Sequence, residues 1–284
     1  MGLFDKKKNK KYELTKETIK YCGTTLYRIR RLSDGMLGGW IESESNLDHS
    51  GDCWVSDNAR VFGNAKISGY ARVSGNAVVS DNAVVYDNAW VYGSVRVYGN
   101  AWVYGSARVS GSAWVFGDAR ISDDARISDD ARVFGDARVY DDAEVSDNAE
   151  VYRYAVIFGN AEVFGNAVVS GDARVSGNAR VYGSAQVSGD ARVYDDAEVS
   201  GSAGICGNTI LRQHDEITAT NQYFNILGFT YPITVTANSI HVGCKDFTPD
   251  DLDKEFHQLD GEEIVRLKQI IEIALDQILS NLGE

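Results

Sequence analysis

Asp57-Asn58-Ala59-Arg60-Val61-Phe62, Gly63-Asn64-Ala65-Lys66-Ile67-Ser68, Gly69-Tyr70-Ala71-Arg72-Val73-Ser74: taken six residues at a time, this stretch repeats itself. The same phrase runs without insertion or deletion from Gly51 to Cys206, 26 times in all. Its slots read mostly Gly or Asp, then mostly Asn, Ser or Asp, then Ala, a variable residue, Val or Ile, and mostly Ser, Tyr or Phe. Ala fills the third slot in 24 copies, with Cys53 and Val95 the exceptions, and the fifth slot is Val or Ile in every copy. A fixed period this short marks a parallel β-helix or solenoid. Ala, X, Val, Ser/Tyr alternate inward and outward, which is a short strand of period two. The Gly/Asp and Asn/Ser/Asp pair forms the corner, because these residues tolerate the positive φ of a sharp bend. Neither inward residue is bulky, so the coil is narrow and leaves no room for a ligand inside.

The unit resembles the hexapeptide repeat of left-handed parallel β-helices, in which an aliphatic residue and a small residue four places later point inward. Val55-Ser56-Asp57-Asn58-Ala59-Arg60 fits that pattern. The resemblance implies a left-handed coil with three hexapeptides per triangular turn. The expected fold is therefore mainly β: a left-handed parallel β-helix with a small N-terminal β cap and a C-terminal α/β module. Domain boundaries are expected at 1–50 for the tail and cap, 51–212 for the solenoid and 213–284 for the C-terminal module.

Outside the repeat the pattern changes. Met1 to Lys11 is a lysine-rich tail. Tyr12, Leu14, Ile19, Tyr21, Leu26, Tyr27 and Ile29, punctuated by Gly23, predict a β-hairpin. It is expected to cover the open end of the solenoid, whose unpaired N–H and C=O groups would otherwise recruit another strand. Past Asn208 the repeat decays. Short strands are expected at 217–220, 223–227, 233–236 and 239–242. Thr248-Pro249-Asp250-Asp251 is a helix start, with that helix reaching about Gln258 and a second running from Gly261 to Leu282. The second carries Ile264, Leu267, Ile271, Leu275 and Ile278 at three–four spacing. Such a stripe packs on the module's own sheet or forms an oligomer or partner contact.

Gly38-Gly39-Trp40-Ile41, Asn46-Leu47 and Gly51-Asp52-Cys53-Trp54-Val55 narrow the resemblance. They are similar to the entry segment of the YdcK-like hexapeptide-repeat proteins of enterobacteria and prophages. The segment around Ile240-His241-Val242-Gly243-Cys244 is more similar to the prophage members. This resemblance implies a phage- or prophage-encoded protein working in the host cytoplasm. Members are often labelled acyltransferases from their repeat alone, but fold does not carry function with it.

The chain of 284 residues has a formal charge of −13. Residues 51–206 hold 13 basic and 21 acidic residues, and residues 207–284 hold 5 and 13. That balance argues against a duplex nucleic-acid binder driven by phosphate neutralisation. No apolar run is long enough to span a membrane, and the first residues lack a signal-peptide apolar core. Cys22, Cys53, Cys206 and Cys244 share no metal-like spacing, which points to a reducing, cytoplasmic location.

If three units make a turn, residues 18 apart stack on one wall. One column then holds Trp54, Arg72, Trp90, Arg108 and Arg126; a second holds Arg60, Val78, Arg96, Trp114 and Arg132; a third holds Lys66, Val84, Trp102, Arg120 and Arg138. The sixth slot adds an aromatic ladder of Tyr98, Phe116, Phe134 and Tyr152. Such ladders stabilise sheets through cross-strand pairs; as a contiguous exposed patch they would be a partner or self-association surface. The expected binding surface is Tyr98, Trp102, Trp114, Phe116, Arg132, Phe134 and Tyr152. No catalytic or metal site is expected. An acyltransferase needs a general base, and the repeats contain no histidine: the four are His49, His214, His241 and His257. The expected function is a non-enzymatic, rigid scaffold that binds a protein partner or itself, as a trimer or dimer, without a cofactor. The alternative is an acyltransferase using acyl-CoA.

Overall fold

The computed structural model describes residues 10–213, 215–226, 233–242, 245–251 and 262–282, with the backbone alone for 262–264. It divides into two compact units, Met1–Asp147 and Asn148–Glu284.

In the first unit, β1 (Tyr12–Tyr21) and β2 (Thr24–Arg31) form an antiparallel hairpin. Cys22 and Gly23 turn it with φ of 47° and 80°, the double positive φ that a tight two-residue hairpin turn demands. The third strand, β3 (Leu37–Ile41), runs antiparallel to β2 and then changes partner: Trp40 and Ile41 pair in parallel with Arg60 and Val61. Leu47 likewise bridges Ile67 in parallel. Coil geometry therefore begins at Trp40, ahead of the boundary expected at Gly51. The non-repetitive stretch 40–50 lays Trp40, Ile41 and Leu47 onto the positions that Arg60, Val61 and Ile67 occupy one turn later.

From there each two-residue strand pairs in parallel with the strand 18 residues on. Wall one carries Arg60, Val78, Arg96, Trp114 and Arg132. Wall two carries Lys66, Val84, Trp102, Arg120 and Arg138. Wall three carries Trp54, Arg72, Trp90, Arg108, Arg126 and Glu144. The inward Ala and Val/Ile side chains are fully buried throughout, so the core is dry and aliphatic, the burial that drives folding. All the first-slot residues of the repeat have positive φ, whether Gly, Asp or, once, Arg153. Corner side chains tie successive turns together: Asn64, Asn82, Asn100 and Asp118 form a ladder of amide bonds of 3.0–3.1 Å. The Asp57 and Asp81 carboxylates accept the N–H of Gly75 and Gly99 at 2.9 and 3.0 Å.

The second unit repeats the three-walled winding. Glu150, Val168, Gln186 and Gly204 share one wall; Val156, Arg174, Arg192 and Ile210 the next; Glu162, Arg180, Glu198 and Glu216 the third. The winding thus continues to Ile217, past the boundary expected at residue 212, because Ile210-Leu211 and Glu216-Ile217 still supply strand pairs after the motif has decayed. The strand expected at 217–220 is this last coil strand followed by a 3₁₀ turn, Thr220–Gln222. An antiparallel meander follows: Tyr223–Ile226, Ile233–Thr236, Ile240–Val242 and Lys245–Phe247. The Thr248 N–H and hydroxyl both donate to the Asp251 carboxylate at 3.0 and 2.6 Å; the first helix expected after this point lies outside the described residues. Helix α1 (Glu262–Leu282) closes the module.

The stripe on α1 faces inward. Leu267, Ile271, Leu275 and Ile278 are buried with Ala274 against Ile226, Ile233, Val235 and Ile240. Of the two roles the sequence left open, the module's own sheet or an oligomer or partner contact, these four take the first: the small sheet presents an apolar face that this helix covers. The side chain of Ile264, the fifth member, lies outside the described residues.

Candidate interaction surface

With its interior filled, the repeat presents its variable side chains on the outward slots. Strands on successive turns lie about 4.8 Å apart, a spacing that suits planar groups in contact. Tyr98 stacks on Phe116 and Phe116 on Phe134, with centroids 4.9 and 4.8 Å apart and rings within 1° of parallel. Tyr86 and Tyr104 stack likewise at 5.0 Å. Guanidinium groups occupy the same pattern. Arg96 and Arg132, one turn before and one turn after, lie over the Trp114 ring at 4.9 and 5.6 Å, and Arg72 and Arg108 flank Trp90 at 5.6 and 5.8 Å.

The residues expected to form one binding surface are distributed over more than one. Trp114 and Arg132 stand on wall one, and Tyr98, Phe116 and Phe134 line the corner that follows it, half-buried by their own stacking. Trp102 stands on wall two, edge-on to Tyr86 at 6.1 Å and beneath Arg120. Tyr152 belongs to the second unit. The period of 18 identifies columns, but adjacent hexapeptides face different walls, so neighbours in sequence such as Trp102 and Trp114 part company.

Wall three is open as well: Trp90 is 45% exposed and Tyr92 41%. The turn from β2 into β3 stands over this wall and makes with it a groove of about 1380 Å³. Lys10, Lys11, Arg31, Leu32, Ser33 and Met36 line one side; Trp54, Ser56, Arg72, Ser74, Trp90 and Tyr92 line the other, with Asp52 and Asp57 at the hairpin end. Lys10 pairs with Glu44 at 2.7 Å, and this contact holds the Glu44 carboxyl below its ordinary range. Arg31 is held by Asp34 and lies over Trp54 at 5.4 Å. Lys11 spends its ammonium on the Cys53 carbonyl at 2.7 Å, above a thiol that burial pushes up. Arg72 and Arg108 have no carboxylate partner among the described residues. The column holding them is legible in sequence; that the turn from β2 into β3 brings Leu32 and Met36 to it is not.

The described histidines are enclosed. His49 stacks on Tyr12 at 4.3 Å, accepts the Lys11 N–H at 3.4 Å through Nδ1 and faces Glu44 at 3.5 Å through Nε2. Tyr12 is itself fully buried, its phenol pushed up by burial and donating to the Leu47 carbonyl at 2.8 Å. His241 is also fully buried. Its Nε2 lies 2.6 Å from Asp215 and 2.9 Å from the Ser239 hydroxyl, and its Nδ1 lies 2.8 Å from Asp246. A serine, an imidazole and a carboxylate in this order resemble a nucleophilic triad, which no sequence spacing suggested. The Ser239 hydroxyl, however, donates to Asp215 and is itself buried. The cluster is a polar core that joins the last coil to the small sheet.

The family model for the YdcK beta solenoid repeat matches residues 71–87, 79–93, 95–111, 125–141, 173–189 and 185–201. No curated protein matches the chain.

Proposed function

We propose that this chain, a β-solenoid repeat protein of the YdcK family, acts by binding through its outer walls and performs no chemistry on what it binds. One observation carries the reading: the inward slots are closed by fully buried Ala and Val/Ile, while arginine and tryptophan are held in fixed stacks on the outside. A wall of this kind is rigid before it meets a partner, so little side-chain freedom is lost on association. Arg and Trp are also the residue types that most often dominate binding energy. The described histidines do not open onto a groove: His49 and His241 side chains are 9% and 0% exposed, and a general base must reach the proton it removes.

The test is a calorimetric titration of the full chain with acetyl-CoA. No saturable heat is expected. Micromolar or tighter binding would overturn the reading in favour of acyl transfer.

A further inference from the structure

We infer that the groove between the β2–β3 turn and wall three is a docking site for an acidic, extended segment of a partner protein, one that alternates carboxylate and bulky apolar side chains. This rests on the reading that the outer walls bind, and names which wall and what kind of partner. Three features argue for it.

The groove lining is net cationic on a chain of net charge −13: Lys10, Lys11, Arg31 and Arg72 stand against Asp52 and Asp57. Arg72 lies over Trp90 at 5.6 Å, with Arg108 on the next turn at 5.8 Å. A guanidinium beside an indole keeps its N–H fork available to carboxylate oxygens. The opposite lip adds apolar groups among its basic ones: Leu32 and Met36 are 50% and 52% exposed and line the same groove. A carboxylate-bearing peptide with apolar side chains satisfies both sides together. The groove, at about 1380 Å³, exceeds the range of roughly 300–1,000 Å³ typical of small-molecule pockets.

The same geometry disfavours single-stranded nucleic acid. Base binding needs free aromatic faces, and here guanidinium groups already lie over Trp54 and on both sides of Trp90.

Fluorescence anisotropy with a labelled dodecapeptide alternating glutamate and leucine tests the site on the full chain. Saturable binding that weakens with added salt is expected. Arg72→Glu and Trp90→Ala should each weaken it about tenfold or more. Arg120→Glu, a matched change on wall two, should leave it unaltered, and a lysine–leucine peptide should not bind. Superimposable circular dichroism melts would show that all three variants fold. The proposal is overturned if the acidic peptide fails to bind, if Arg120→Glu weakens it as much as Arg72→Glu, or if a labelled oligothymidylate binds in its place. Those outcomes leave the acetyl-CoA titration untouched, so failure of the groove and failure of the non-catalytic reading are separable.

Discussion

Arg153 sits where the other repeats place Gly or Asp, with φ of 62°. A left-handed backbone costs an ordinary L-residue roughly 1–2 kcal/mol, whereas Gly adopts it freely. Arg153→Gly should therefore stabilise the second unit by up to about 1 kcal/mol, after the extra entropy lost by Gly on folding. The opposite holds at Gly111. Its φ is +66°, and an added Cβ would stand 2.5 Å from the backbone nitrogen of Asp129 one turn on. Gly111→Ala should lower stability by about 1–3 kcal/mol, the range for strained backbone positions. Urea unfolding midpoints of the two variants should move in opposite directions. A neutral Gly111→Ala would show that the turns can spread, which the dense stacking of the corners denies.

At the scale of elements, the last coil and the C-terminal meander are joined by one buried polar cluster. Asp215 accepts from the Arg212 N–H at 3.0 Å and the Thr236 hydroxyl at 2.9 Å, as well as facing His241. Arg212 reaches His241 at 3.1 Å and the Tyr194 hydroxyl at 2.8 Å, and pairs with Asp246. Burial alone would raise the Asp215 carboxyl, but His241 and the donated hydrogen bonds outweigh it and hold it below its ordinary range. A carboxyl lowered in the folded state stabilises that state above its unfolded pKa of about 3.9. That contribution is lost as pH falls through the lower folded value. Hydrogen exchange in Ile233–Thr236 and Ile240–Val242 should accelerate as pH drops below about 4, after correction for intrinsic rates. His241→Leu strands the Asp215 carboxylate and should destabilise the module by about 3–5 kcal/mol. Protonation relieves the stranded charge, so the deficit should shrink in acid; a pH-independent deficit would mean that lost packing, not charge, is responsible.

At the scale of the whole molecule, the N-terminal hairpin both covers an edge and shapes the groove. It is pinned by the buried Tyr12, by Arg28 over Trp40 at 5.0 Å and by Arg60 over Tyr21 at 4.6 Å. Deleting residues 1–36 would leave β3 as an uncovered strand, and an open sheet edge templates pairing with another chain. Light scattering after gel filtration should show a mass that rises with protein concentration for the deletion but not for the full chain. An unchanged mass would mean that the hairpin serves the groove alone.

The six-residue phrase by itself determined the parallel solenoid, its inward Ala and Val/Ile, its positive-φ corners and the stacking of residues 18 apart. Each of these is local or strictly periodic, so every copy of the motif meets the same environment as its neighbours one turn away. The apolar stripe of α1 was equally legible, although whether it met its own sheet or another molecule was not. Only the tertiary structure decided that coil geometry begins at Trp40 in the first unit and reaches Ile217 in the second. It also placed Leu32 and Met36 opposite Arg72 and Trp90, and gathered Tyr194, Arg212, Asp215, Ser239, His241 and Asp246 into one buried cluster. These contacts join residues with no common period. Non-repeating segments meet where the chain's path and the need to satisfy buried polar groups bring them, and no spacing rule encodes that path.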